Sequence, residues 1–201
     1  MYSLNYKNTN IITFPKCGCT MVIKLCTNTL DFKNHNHDFK HNQCSLFGNI
    51  HNCGHQSFEE ISSEENYVIF RYPHERIESF YYSNYLGNSI KKDNQLSLED
   101  FVCGVLENRL NNIPGLIDHV RPIVNYKNKI DNHIFIHLNN LNDFFFKKFN
   151  EDISEYFIIN KSLHKIENCD SDLIEKCKKR YKNEYKFLEN KTAKNIWNNV
   201  N

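Results

Sequence analysis

Three residues within Thr13–Thr20, TFPKCGCT, have the types and spacing needed to hold a phosphate. An apolar pair, Ile11 and Ile12, precedes them and a helix-like stretch follows, so the chain turns from strand to helix around one lysine and one glycine. Backbone N–H groups at a helix start attract anions. Gly18 lets the backbone approach, Lys16 supplies a mobile charge and Thr20 a hydroxyl donor. The lysine precedes the glycine, whereas in GxxxxGK[ST] it follows, and this disfavours an ordinary ATP or GTP loop. The same segment also reads as a strand–turn–helix corner that binds nothing. A second segment bears on that choice. Tyr67 to Phe70 reads as a short buried strand running into RYPHERIESFYYS, with Arg71 at the strand's end. Pro73 fits the first turn of a helix whose apolar stripe is Ile77, Phe80 and Tyr81. Ser79 lies eight positions after Arg71, so its hydroxyl and the guanidinium can grip one phosphate together.

Together these two segments resemble the cofactor-binding motifs of the sulfotransferase superfamily. FPKCGCT is similar to the 5′-phosphosulfate loop, and RYPHERIESFYYS to the 3′-phosphate motif R-x-P-x-x-R-x-x-S, in the family's order and with its step from arginine to serine. The resemblance implies 3′-phosphoadenosine-5′-phosphosulfate (PAPS) as sulfuryl donor, held by Lys16, Cys17, Gly18, Cys19, Thr20, Arg71 and Ser79. Between the motifs, CGHQSFEE is similar to the G-H-x-S-F segment of the uronyl 2-O-sulfotransferase-like carbohydrate branch, whose histidine is the catalytic base. That role carries over to His55. HVRPI from His119 resembles the H-x-R-P segment of carbohydrate sulfotransferases, and Asn160–Ser162 is similar to a late N-K-S element. The resemblance spans roughly residues 10–190 and implies a P-loop-like three-layer sandwich acting on a hydroxyl-bearing acceptor, a glycan.

The chemistry suits the residues themselves. Sulfuryl transfer resembles phosphoryl transfer, in which positioning and charge stabilisation do most of the work. The Lys16 ammonium can follow the charge that develops on the oxygen bridging sulfur and phosphorus. A neutral imidazole at His55, with a pKa of about 6.5, can accept a hydroxyl proton near neutral pH. Arg71 and Ser79 on a 3′-phosphate would select against ATP, which has none. No metal is required.

The elements that must position these groups follow from apolar periodicity. Strands are expected at Asn10–Phe14, Tyr67–Arg71 and Asn132–Leu138, and helices at Cys19–Leu30, Pro73–Leu86 and Ser97–Asn108, the last with a Ser97/Asp100 capping pair. A helix bearing Leu141, Phe144, Phe145 and Phe149 follows, its FFFKKF run read as core packing, and a last helix from about Ser171 to Glu189 shows Leu173, Ile174, Cys177, Tyr181, Tyr185 and Leu188 on one face. Such alternation implies an α/β fold with a central parallel sheet and helices on both faces. No repeat or linker divides the chain, so residues 1–201 read as one domain.

At 201 residues, 40% hydrophobic and 13% aromatic, the chain can bury one substantial core. A net charge of +1 argues against a generic nucleic-acid binder. Arginine is rare, with five in the chain, so two in one short motif (Arg71, Arg76) stand out. No run approaches the about 20 apolar residues of a membrane helix, and MYSLNYKNTN lacks the apolar core of a signal peptide. Animal carbohydrate sulfotransferases are usually anchored Golgi proteins with lumenal disulfides. Here the eight cysteines show no framework spacing and two sit inside the phosphate loop, which reads as reduced thiols in a cytoplasmic protein.

Residues 33–55 stay ambiguous. His35, His37, His41, Cys44, His51, Cys53 and His55 are enough ligands for zinc, although no paired CxxC pattern organises them; the tract is read first as a solvated polar loop, then as an acceptor-site lining, and last as a zinc site. His55 can be a base or a structural histidine, and His119 a structural or acceptor-binding one. Two alternatives to a transferase remain at this level: a PAPS- or nucleotide-binding protein without catalysis, and a zinc-stabilised interaction module.

Overall fold

The computed structural model describes residues 2–7, 9–19, 21–22, 65–86, 95–154 and 168–193, with side chains from Tyr6 onward. Four strands, β1 Tyr2–Tyr6, β2 Thr9–Thr13, β3 Asn66–Phe70 and β4 Ile134–His137, form one sheet in the order β1-β2-β3-β4. β2, β3 and β4 are mutually parallel, and β1 pairs antiparallel with β2. The helices are α1 Pro73–Phe80, continued by a π-helical turn Tyr81–Tyr85; α2 Leu98–Leu106; α3 Leu116–Val120; α4 Lys127–Ile130 after a short 3-10 turn; α5 Leu141–Phe149; α6 Ser171–Arg180; and α7 Lys182–Ala193.

The parallel strands are apolar almost throughout because both faces of the sheet are covered. The register sets Ile12 opposite Val68 and Val68 opposite Phe135. These side chains, with Phe70, pack on Ile123, Ile130, Phe187 and Leu188, so α4 and α7 cover that face. The alternate residues Ile11, Tyr67, Ile69 and Ile136 meet Leu141, Phe144 and Phe145 of α5 on the other. A third cluster joins Phe80, Tyr81 and Tyr85 to Phe101 and Val105 of α2, Leu116 of α3, and Leu173 and Cys177 of α6. Each such large side chain contributes about 1.5–3 kcal/mol when fully buried. Strands only four or five residues long are therefore held by their side chains more than by their ladders.

The expected α/β class is observed, and Ser97 caps α2 by accepting from the Asp100 N–H at 3.1 Å. Of the expected helix Cys19–Leu30, only residues 19, 21 and 22 are described, and they are helical. Three features differ from expectation. β1 was not anticipated, and it makes the sheet mixed. The expected helix Pro73–Leu86 is regular only to Phe80, after which Leu86 N–H bonds to the Tyr81 carbonyl at 2.9 Å in the wider π pattern. The expected Ser171–Glu189 helix is two helices, because Tyr181 leaves helical geometry (φ −105°, ψ 30°) and its carbonyl starts a new helix by accepting from Glu184 and Tyr185. The FFFKKF run packs as expected at Phe144 and Phe145, while Phe146 is exposed. Among the described residues, no helix is long and apolar enough to cross a membrane.

Candidate functional site

Parallel strands end together, and the loops beyond their carboxyl ends share one edge of the sheet. β2 leads into Phe14–Gly18, β3 into Arg71 and β4 into Leu138. The first loop is a tight turn: the Cys17 N–H bonds the Phe14 carbonyl at 3.0 Å and the Thr13 hydroxyl donates to the Cys17 carbonyl at 2.9 Å. Two residues take left-handed backbone, Lys16 at φ +61° and Gly18 at φ +75°. Glycine does this without cost, whereas a lysine there is uncommon and mildly strained. A Cβ on Gly18 would also lie 2.5 Å from Leu138 Cδ1. The helix then begins, with Val22 N–H bonded to the Gly18 carbonyl at 3.0 Å.

Arg71 donates from Nη1 to the Lys16 carbonyl at 2.9 Å, tying the end of β3 to the loop. The Lys16 ammonium reaches the π-helical turn, where it bonds Ser83 Oγ and Asn84 Oδ1, and it lies 5.8 Å from the centroid of the Phe80 ring. Ser83 in turn donates to the Ser79 carbonyl at 2.6 Å. One chain of bonds thus links Lys16, Arg71 and the Ser79 turn. Among the described residues neither cation is paired with a carboxylate. Burial lowers the Lys16 pKa to about 8; the neighbouring Arg71 adds to the depression and Cys19 opposes it. Cys17 is fully buried and its thiol is pushed up to about 12 by that burial, so it stays protonated and serves as core.

The start of α1 is fixed separately. Glu75 accepts the Tyr72 N–H at 2.8 Å and meets His137 Nε2 at 2.9 Å, which joins the end of β4 to the first turn of the helix. Arg76, five residues after Arg71, points inward and is 1% exposed. Its Nη2 donates to Glu184 Oε1 at 2.6 Å and its Nη1 to the Arg121 carbonyl at 2.7 Å, while the same Glu184 oxygen accepts the Ile123 N–H at 2.8 Å. The buried pair therefore clamps the HVRPI backbone on both sides of Pro122. His119, one turn earlier, packs on the Phe80 ring with centroids 5.1 Å apart.

The structure thus brings Lys16, Cys17, Gly18, Cys19, Arg71 and Ser79 into one region, whereas Thr20, His55, the His/Cys tract 33–55 and Asn160–Ser162 lie outside the described residues. Ser83 and Asn84 were missed in the sequence. Ser83 stands one helical turn beyond Ser79, a spacing that could have found it. The clamp partner Glu184 carries no such local signal. Among the described residues, no group of three or more His, Cys, Asp or Glu is arranged to hold a metal. Comparison with family models, with curated proteins and with solved structures found no match to this chain.

Proposed function

We propose that the chain is a PAPS-dependent sulfotransferase on a P-loop-like three-layer sandwich, moving a sulfuryl group in line to an acceptor hydroxyl, a carbohydrate hydroxyl by resemblance. One observation carries the reading: two cations from segments far apart in the chain, Lys16 and Arg71, meet at a helix start with neutral partners and, among the described residues, no carboxylate. Bringing like charges together, half-buried, is unfavourable without an anion. A donor with phosphates at both ends supplies one. PAPS brings the activated sulfuryl group, and the protein's residues hold and polarise it. Lys16 with the Gly18–Cys19 backbone is assigned the 5′ end, where the resemblance adds Thr20, and Arg71 with Ser79 the 3′-phosphate. The resemblance assigns the acceptor's proton to His55.

The test has two parts. 3′-Phosphoadenosine-5′-phosphate (PAP) should raise the melting temperature, by the equivalent of about 2.7 kcal/mol at 100 times its Kd, and adenosine-5′-monophosphate, which lacks the 3′-phosphate, should do much less. Labelled PAPS should then transfer its sulfuryl group to a glycan. A PAP shift without transfer to any acceptor class would leave a binding protein, while bound zinc with no PAP shift would favour the interaction module.

A further inference from the structure

His119 shares a neighbour with Lys16: the imidazole and the ammonium both lie against the Phe80 ring. The imidazole Nδ1 is 2.6 Å from the Gly115 carbonyl oxygen. A carbonyl only accepts, so Nδ1 carries the proton and, in the neutral ring, Nε2 carries the lone pair. Gly115 adopts φ +76° to present that carbonyl, a conformation that suits glycine. The ring is kept neutral around pH 7. Burial lowers its pKa and the Lys16 charge lowers it further, while the Gly115 bond and Asp118 pull the other way. Asp118 is exposed and its carboxylate pairs with Arg121 at 2.8 Å. The segment cannot drift from α1, because Arg76 and Glu184 hold the backbone at Arg121 and Ile123.

We propose that His119 is the group that removes the proton from the acceptor hydroxyl. As the acceptor oxygen forms its bond to sulfur, Nε2 takes the hydroxyl proton. The bond from sulfur to the bridging oxygen breaks, and its electron pair stays on that oxygen, toward which Lys16 directs its ammonium. A hydroxyl and PAPS become a sulfate ester and PAP, with one proton left on the imidazole. This rests on the sulfotransferase reading and gives His119 the role that resemblance assigns to His55.

The experiment compares His119→Gln, His119→Ala and His55→Ala with the unaltered protein. The readouts are the PAP melting shift and transfer from labelled PAPS to desulfated chondroitin and to p-nitrophenol. Both His119 variants should keep the PAP shift yet lose about 100-fold or more in turnover on the polysaccharide, the usual contribution of proton transfer. The fall in kcat/KM on the acidic side, where the imidazole protonates, should vanish with them. The loss should be smaller on p-nitrophenol, whose hydroxyl needs far less help to ionise. Near-normal turnover in His119→Gln with collapse in His55→Ala would overturn the proposal and leave the sulfotransferase reading standing. Loss of the PAP shift in both His119 variants would reduce His119 to a structural role. PAP binding by the unaltered protein with transfer to neither acceptor would overturn the proposed proton transfer together with the transferase reading and leave a binding protein; no PAP shift and no transfer would overturn PAPS binding as well.

Discussion

Arg71 and Arg76 come from the same nine-residue motif, and the fold uses them in opposite ways. Arg71 sits half-buried at the sheet edge and gives one bond to the backbone of the neighbouring loop. Arg76, one and a half helical turns on, is sealed in the core against a carboxylate and a carbonyl. The difference is in the partners. A guanidinium with an acidic partner is electrostatically finished and becomes structure, whereas Arg71 meets another cation and, among the described residues, no carboxylate, so its charge is not neutralised by an ion pair there. Residue type alone does not distinguish the two.

The largest effect should come from breaking the finished pair. Arg76→Ala leaves Glu184 buried and uncompensated, a loss of about 3–5 kcal/mol, readable as a large fall in the denaturant midpoint or as failure to fold. Among the described residues Arg76 Nε and Glu184 Oε2 have no hydrogen-bond partners, so the pair is imperfectly satisfied. A combined Arg76→Met and Glu184→Leu variant should therefore recover most of the stability. Turnover should not recover, because the Arg121 carbonyl and Ile123 N–H would still lack their anchors. Full recovery of turnover would show that the clamp does not position HVRPI.

Next is Lys16→Ala. Loss of one donor that acts mainly in the transition state should raise the barrier by about 3–4 kcal/mol while the melting temperature stays close to that of the unaltered protein. Folded Lys16→Ala with near-normal turnover would remove the mechanism. Smaller again are Arg71→Ala and Ser79→Ala. The arginine should weaken PAP binding by about 1.5–3 kcal/mol and the serine by less, since only the former contact is charge-assisted. Both should leave adenosine-5′-monophosphate binding nearly unchanged. Equal losses for the two nucleotides would detach these residues from the 3′-phosphate.

The smallest effect is in pH. Lys16 has its pKa lowered to about 8 by burial, and bound phosphates favour the ammonium, so above that pH PAP binding must take up a proton. Affinity should fall as pH rises past about 8, by at most tenfold per unit, and calorimetry in buffers of different ionisation enthalpy should register the uptake. Lys16→Met should flatten that limb.

The sequence made the edge of the sheet readable because its information is local. Strand ends, a proline at a helix start and the Arg71–Ser79 step all lie within one short window. The Ser97 cap was equally local and equally legible. The core side of the same motif was hidden. Nothing near Arg76 marks Glu184 as its partner among 24 acidic residues, and the apolar stripe runs unbroken through Tyr181, so the helix break that aims Glu184 inward leaves no trace in the periodicity. Lys16 at positive φ was hidden for a related reason: the strain is imposed by the loop's hydrogen bonds, and no residue type announces it.

The Arg76–Glu184 pair joins residues 108 positions apart, and that separation sets the order in which the molecule can be built. A growing chain that has released α1 from the ribosome still lacks the carboxylate needed to bury its arginine. At about 5–20 residues per second, the wait for Glu184 is roughly 5–20 s. During it, HVRPI has neither backbone anchor from the completed clamp. The HVRPI segment is therefore anchored late in synthesis, when α7 docks, and a nascent chain lacks that anchor until most of it has been made.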